Sequence, residues 1–428
     1  MNENLTFMDY LVQHSEECIE RALLLEKHPL WKRECPEFSD KDFIRLGLLR
    51  GIEPVDSGRH FLQINEEIHG STCPHSTYYK ALRSPRRMEM LKAIEKQSYE
   101  LHCENMILQG VDYLKQFPDL NDYTVYAADG HYVDHACHTP KNSKGKVFAA
   151  GFIYATNLRN GLLKPLSTIT NGTIKHQEIP ILRKYIEQEN CEKDKSAKHL
   201  YVYDKAAIDY AWWNGQKYYQ NYMISVLKEN SAAVYLEEII FDKSADVNIG
   251  IKSYSTYESK GIKFSVVKYS DPETDKQYSF ITTLPESIEP GVIAMLYYKR
   301  WTVEKAFNNN KSNLKEKKAW SPNMNSLKSE MRFTSMAYNI MRVFEESSKV
   351  QHLEKIHPSE KKYTEALKNR DINAKQQNLS VNPLHFMKRI SRICSFTIRT
   401  IQNAILSGKS LVLVIRRLLS NLLEREDE

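Results

Sequence analysis

Tyr123-Thr-Val-Tyr-Ala-Ala-Asp129-Gly130 is the stretch from which the fold is read. Its first six residues are β-branched, aromatic or small, a composition that suits a pleated, half-buried strand. An aspartate and a glycine then break the pattern, which predicts a strand ending at Asp129. Working outward, Val147 to Ala155 and Leu162 to Ile169 read as two more strands, and Gln177 to Gln188 reads as a helix. His199-Leu-Tyr-Val-Tyr is another strand, and it too runs into an aspartate, Asp204. A helix from Ala207 to Tyr219 and a strand from Tyr222 to Leu227 follow. Three strands, a helix, a strand and a helix predict a mixed α/β sheet.

The flanks differ in texture. Residues 1–118 read as helical: Leu11, Cys18, Ile19, Leu23 and Leu24 recur at helical spacing, as do Phe43, Ile44, Leu46, Leu48 and Leu49. A further helix is expected from about Ser76, carrying Tyr78, Tyr79 and Leu82 and the basic cluster Arg83, Arg86 and Arg87. Two readings fit that cluster equally: a helix-turn-helix surface for nucleic acid, or a helical subdomain with a solvated charged face. Residues 119–230 hold the first part of the mixed sheet. Residues 231–288 read as an all-β insertion, with strands at Val234 to Phe241, Ile262 to Tyr269 and Gln277 to Thr283 and a hairpin turn at Asp271-Pro-Glu-Thr-Asp. Residues 289–345 are expected to complete the core with a helix. Residues 346–428 are expected to be helical as well, serving either as an oligomer interface or as internal packing.

Composition sets outer bounds. A chain of 428 residues has room for two or three structural units. Hydrophobic residues make up 41% and charged residues 27%, which excludes a disordered or fibrous chain. The net charge of +6 permits a polyanionic partner without demanding one. Seven scattered cysteines with no C-x-x-C pair argue against a disulfide framework and for a reducing, cytoplasmic compartment. The opening Met-Asn-Glu-Asn-Leu-Thr lacks the basic start and apolar run of a signal peptide. No stretch of about 18 apolar residues would span a membrane.

The segment Val292 to Leu314 carries the most chemistry. Tyr297, Arg300, Glu304 and Lys311 stand at offsets of 0, 3, 7 and 14. On a helix with roughly 100° per residue they share an arc of about 60°. Val292, Leu296, Val303, Phe307 and Leu314 lie beside that arc and anchor the helix. Glu304 in such a stripe suits a hard divalent cation, Arg300 a bidentate grip on phosphate, and Lys311 a further point charge. Tyr297 suits a phosphate hydrogen bond or a nucleobase stack. From the helix alone, an amphipathic surface with an Arg300–Glu304 pair is the simpler reading. A lone strand-end aspartate likewise reads first as a turn or cap.

Taken together, Tyr297-x-x-Arg300-x-x-x-Glu304-x6-Lys311 resembles the Y-R-E-K signature of the DDE transposases of bacterial insertion sequences, the group with a β-strand insertion domain. Phe280-Ile-Thr-Thr-Leu-Pro and Leu296-Tyr-Tyr-Lys-Arg-Trp301 are similar to that family too, and the likeness runs from about 120 to 345. It implies an α/β, ribonuclease-H-like mixed sheet whose first acid ends the first strand. The second acid ends the strand after the first helix, and the third lies on the helix after the insertion. In this chain those are Asp129, Asp204 and Glu304, implied both as catalytic residues and as ligands of Mg²⁺, with Mn²⁺ as substitute. The resemblance assigns Tyr297, Arg300 and Lys311 to DNA binding. One departure is visible: Asn308, Asn309 and Asn310 stand where the family often has lysine, which weakens backbone binding and leaves the acids intact.

The implied reaction cuts DNA at the terminal inverted repeats of an insertion sequence. It then joins the 3′-OH ends to target DNA by two-metal phosphoryl transfer. The implied partners are double-stranded DNA, as transposon ends and as target, and a second copy of the chain in a homodimeric synaptic complex. Two alternatives remain open: an inactive transposase-derived DNA-binding protein, and a Mg²⁺-dependent nuclease of the same fold. His131, His135, Cys137 and His138 invite a zinc reading, but alternate residues of a strand face opposite ways, which argues against it. Trp212, Trp213 and Trp301 suit core packing better than base stacking.

Overall fold

The computed structural model describes residues 6–25, 38–53, 55, 57–70, 72–136, 139–141, 145–147, 149–169, 178–204, 208–227, 233–271, 276–300, 318–353 and 396–424. A nine-stranded sheet runs through it in the order β3-β2-β1-β4-β5-β9-β8-β7-β6. β1 (Tyr123–Val133), β2 (Ala150–Asn157) and β3 (Leu163–Ile169) form an antiparallel meander. On the other side of β1, β4 (Lys198–Val202) and β5 (Asn221–Val226) lie parallel to it. Beyond β5 come β9 (Gln277–Thr282), β8 (Ile262–Ser270), β7 (Ile251–Ser259) and β6 (Val234–Glu238), all antiparallel to their neighbours.

The structure corrects one expectation and adds two features. β1 does not stop at Asp129. It continues to Val133 because β2 keeps pairing with it, and Asp129 lies opposite Tyr154. The strand Ile251–Ser259 was not anticipated. Its polar composition hides it, yet Lys260 and Gly261, with φ of 52° and 77°, form the tight two-residue turn that hairpins it to β8. Finally, the β-rich segment is not a sheet of its own. β9 pairs with β5, which satisfies backbone groups that both strands would otherwise leave exposed at an edge.

Period-two alternation assigns each strand residue to a layer. Val125 and Ala127 of β1, Phe152 and Tyr154 of β2, and Leu200 and Val202 of β4 belong to the larger core. On that side pack α1 (Phe7–Leu25), α2 (Asp40–Ile52), α4 (His75–Arg83), α5 (Pro85–Leu108), α8 (Pro290–Lys299) and α9 (Met324–Leu353). Tyr126, Ala128, Ile153, Tyr201 and Tyr203 face the other way, into a smaller core closed by α6 (Glu178–Glu192) and α7 (Tyr210–Gln216). The short α3 (Gly58–His69) contacts α4. Helices at residues 396–407 (α10) and Leu411–Glu424 (α11) end the described chain, with α11 against α9. Among the described residues no helix is long and apolar enough to cross a membrane.

α9 organises the helical layer. The ring of Phe333 occupies the space where Gly47 of α2 has no side chain; a Cβ there would lie 2.2 Å from the ring. At the sheet edge, the Asn339 amide donates to the Leu163 carbonyl at 2.8 Å and accepts from its N–H at 2.7 Å. That exchange satisfies the outward backbone of β3 with a side chain and leaves that point closed to a foreign strand.

The basic cluster near residue 83 turns out to be largely structural. Arg86 makes two bonds to Asp40, at 2.6 and 2.7 Å, and Arg87 adds a third at 2.8 Å. Arg87 also donates to the Phe38 carbonyl and is buried. These contacts pin the start of α5 to the start of α2, because a carboxylate can accept several guanidinium donors at once. Of the three arginines only Arg83 is exposed.

α1 and α5 are clasped by two histidines. His14 and His102 stack with centroids 4.8 Å apart, and their Nε2 atoms are 2.6 Å apart. At that distance one ring must donate a proton while the other accepts, so at least the accepting ring is neutral. Burial pushes His14 down to about 4 and holds His102 well below the ordinary histidine value of 6.5. The unfolded chain therefore takes up protons that the folded one refuses. Stability is expected to be complete above pH 6.5 and to fall as pH drops toward 4, by about 1.4 kcal/mol per pH unit for His14. Thermal melts across that window check this against His14→Gln, which should show a shallower slope; equal slopes would remove the assignment.

Candidate active site

The parallel β1–β4 ladder sets the site. Tyr123 lies opposite Lys198, and the register runs without a break to Ala127 opposite Val202. Two residues further along each strand come Asp129 and Asp204. Neighbouring strands are about 4.8 Å apart, so the register directs the two acids toward the same point, where β4 has ended and β1 runs on. Parity adds a direction. Asp129 is two residues past Ala127, and Asp204 two past Val202, so both continue the face that the larger helical layer covers. β1's pairing with β4 ends at Ala127 while its pairing with β2 goes on, which opens a notch at the acids. The Asp129 side chain is 24% exposed, and Asp204 is exposed.

The end of α8 brings a basic residue to Asp129. Pro290 starts it, where a missing N–H costs nothing. The next N–H, of Gly291, donates to Asn248 Oδ1 at 2.9 Å. The helix then runs over β9, β8 and β5 to Lys299. Arg300 follows, and its Nη1 meets Asp129 Oδ2 at 3.5 Å. Its guanidinium lies over the Tyr297 ring, 5.4 Å from the centroid. Tyr297 in turn packs on Phe280 of β9 at 5.0 Å. The tyrosine is buried and serves here as the floor under the arginine.

Beside them, Lys299 points away from the acids and donates to the Tyr113 carbonyl at 2.8 Å. Burial pushes its ammonium down to about 8, against the pull of Asp112.

After residue 317 the chain returns to the same strand. Lys318 forms a parallel bridge with Asp134, one residue past β1, and the Ala319 N–H donates to the Asp134 carbonyl at 2.9 Å. Both flanks of residues 301–317 are thus fixed on β1, one at Asp129 and the other at Asp134. Glu304 and Lys311, expected as the third acid and a DNA contact, lie outside the described residues, as do Trp301, Cys137 and His138. Among the described residues no group of three or more metal-ligating side chains is gathered.

His131 is buried, stacks on Phe152, and shares the face of Asp129 two residues on. Trp213 is buried in the smaller core, and Trp212 lies under Arg183 with its Nε1 donating to Glu187 at 3.0 Å.

No protein-family model matches the chain, and no curated protein does. Among solved structures, the crystal structure of Aa-Ago with externally-bound siRNA matches at 9% identity with a TM-score of 0.20. The match covers 42% of this chain and 25% of that one.

Proposed function

We propose that the chain is a metal-dependent DDE transposase on a ribonuclease-H-like core, cutting DNA at terminal inverted repeats and joining the 3′-OH ends to target DNA. One observation supports the reading: the β1–β4 register runs to within two residues of both aspartates, and the signature arginine meets the first of them. The order β3-β2-β1-β4-β5, with α6 before β4 and α7 before β5, fits the core that the sequence resemblance implies. Two carboxylates at neighbouring strand ends are an all-oxygen donor set, which suits Mg²⁺ or Mn²⁺ better than zinc. Glu304 follows Arg300 by four residues. Even a fully extended chain carries it no more than about 14 Å from that anchor.

When bound, a pair of divalent cations supplies charge relief at the attacking and leaving oxygens of the phosphodiester. The chain's own contributions are positional. Asp129 and Asp204 concentrate negative charge at one notch. Arg300, seated on Tyr297, keeps a positive charge beside the first acid, where a scissile phosphate would dock. Lys311 adds a point charge further along the DNA backbone. Holding two ends together calls for two copies of the chain, so a homodimer belongs to the proposal.

Glu304→Gln tests it. The variant is expected to fold, to bind inverted-repeat DNA as the parent does, and to lose Mg²⁺-dependent nicking. Full nicking by Glu304→Gln would refute the assignment.

A further inference from the structure

Arg50 sits in the apolar stripe of α2 and is only 4% exposed. Its guanidinium is boxed by four aromatic rings: Trp320 at 4.5 Å, Tyr78 and Tyr79 at 5.5 Å each, and Phe61 at 5.9 Å. Nη2 donates to the Tyr79 hydroxyl at 3.1 Å, while Nε and Nη1 have no hydrogen-bond partner among the described residues. The backbone makes room for this box. A Cβ at Gly58 would lie 2.2 Å from the Tyr79 hydroxyl and 2.9 Å from Arg50 Nη1. Packing alone would be served as well by an apolar side chain of similar length, since a buried charge is costly to desolvate. The planar cation adds a directional hold on ring faces, which neither an alkyl chain nor a compact ammonium reproduces.

The ring held at closest range is the informative one. Phe61, Tyr78 and Tyr79 belong to the N-terminal helices α3 and α4, but Trp320 stands where the chain rejoins the sheet after Glu304 and Lys311. Its N–H donates to Glu330 Oε2 of α9 at 2.8 Å, and its ring stacks near Phe333 at 6.4 Å. The residues just before it, Lys318 and Ala319, are the ones bonded to Asp134 at the end of β1.

We propose that Arg50 is a positioning residue: through Trp320 it couples the N-terminal helices to the downstream anchor of the segment carrying the third acid. The consequence for cleavage rests on the transposase reading; the consequence for the anchor does not.

Hydrogen exchange and kinetics on the full chain test the two parts separately. In Arg50→Met the Ala319 and Trp320 amides are expected to exchange about ten-fold faster, with amides in the middle of α2 and α9 unchanged. Inverted-repeat DNA should bind with the parent's affinity while the cleavage rate constant falls about ten-fold, a split expected when geometry rather than binding is lost. Arg50→Lys should not rescue either readout. Trp320→Leu should reproduce both from the other side of the contact, and Trp320→Phe should stay near the parent; this pair decides the matter if Arg50→Met does not fold. Parent-like exchange at Ala319 and Trp320 in Arg50→Met or Trp320→Leu would overturn the proposal, as would affinity falling in step with rate. A parent chain that cleaves no DNA would instead count against the transposase reading, with the exchange result still deciding the role of Arg50.

Discussion

Asp204→Asn is expected to leave the fold intact and to lower Mg²⁺-dependent DNA cleavage by three orders of magnitude or more, about 4 kcal/mol in activation free energy. The side chain is exposed two residues past β4, and asparagine keeps its size, so the change removes a charge proposed to hold a cation without opening a cavity. Asp129→Asn should abolish cleavage equally but behave differently in a melt. Asp129 faces Arg300, whose side chain is only 7% exposed, at 3.5 Å. Neutralising the acid removes one counter-charge from a buried cation, a cost of about 1 kcal/mol for so long and partly open a contact. Cleavage assays paired with thermal melts separate the two variants. Asp204→Asn retaining a tenth of the parent rate would remove it from the proposed metal ligands, whatever the melts show.

Gly291→Ala is the substitution with the largest expected effect on the fold. A Cβ at this position would sit 1.7 Å from the Val247 carbonyl oxygen and 2.9 Å from Asn248 Oδ1, the atom that accepts the Gly291 N–H. The obstacle is backbone, so it cannot swing aside as a side-chain tip would. Asn248 is itself committed, donating at 2.7 Å both to the Asp242 carbonyl and to Glu289 Oε2. Relief requires moving the start of α8 off the segment beneath it. We expect a loss of about 3 kcal/mol, the upper end of ordinary overpacking. Because α8 delivers Tyr297 and Arg300 to Asp129, activity should fall even at temperatures where the variant remains folded. Gly215→Ala is the control. Nothing lies within 4 Å of its would-be Cβ, and the residue is in α7. That change should be neutral or stabilising by up to about 1 kcal/mol. Denaturant unfolding of both variants compares them directly, and equal midpoints would mean the α8 start yields easily.

Much of the sheet was legible before any coordinates. Tyr123-Thr-Val-Tyr-Ala-Ala and His199-Leu-Tyr-Val-Tyr announce strands because buried parallel strands are continuous runs of β-branched and aromatic residues. β7 was missed for the opposite reason: Lys252, Ser253, Ser255 and Thr256 dilute its apolar signal, and only the cross-strand ladders to β6 and β8 reveal it. The arginine cluster stayed undecided for a related reason. Sequence registers charge but not the distant Asp40 that neutralises Arg86 and Arg87. Arg50 was passed over inside a hydrophobic stripe, although a lone arginine on the buried face of a helix is itself a signal that rings or acids must surround it.

What the sequence determined by itself is local: which segments pleat or coil, and that each of two strands runs into an aspartate. Those outcomes depend on propensity and periodicity, which act over a few residues. Only the tertiary structure decided that the strands leading to Asp129 and Asp204 pair in parallel, that the β-rich segment extends the same sheet, and that Arg300 lies on Asp129. Each of these depends on strand register or on a pairing between residues far apart in the chain. Register is chosen by the summed burial and hydrogen bonding of whole strands, and a slip of β1 against β4 by one residue would turn one acid to the opposite face from the other.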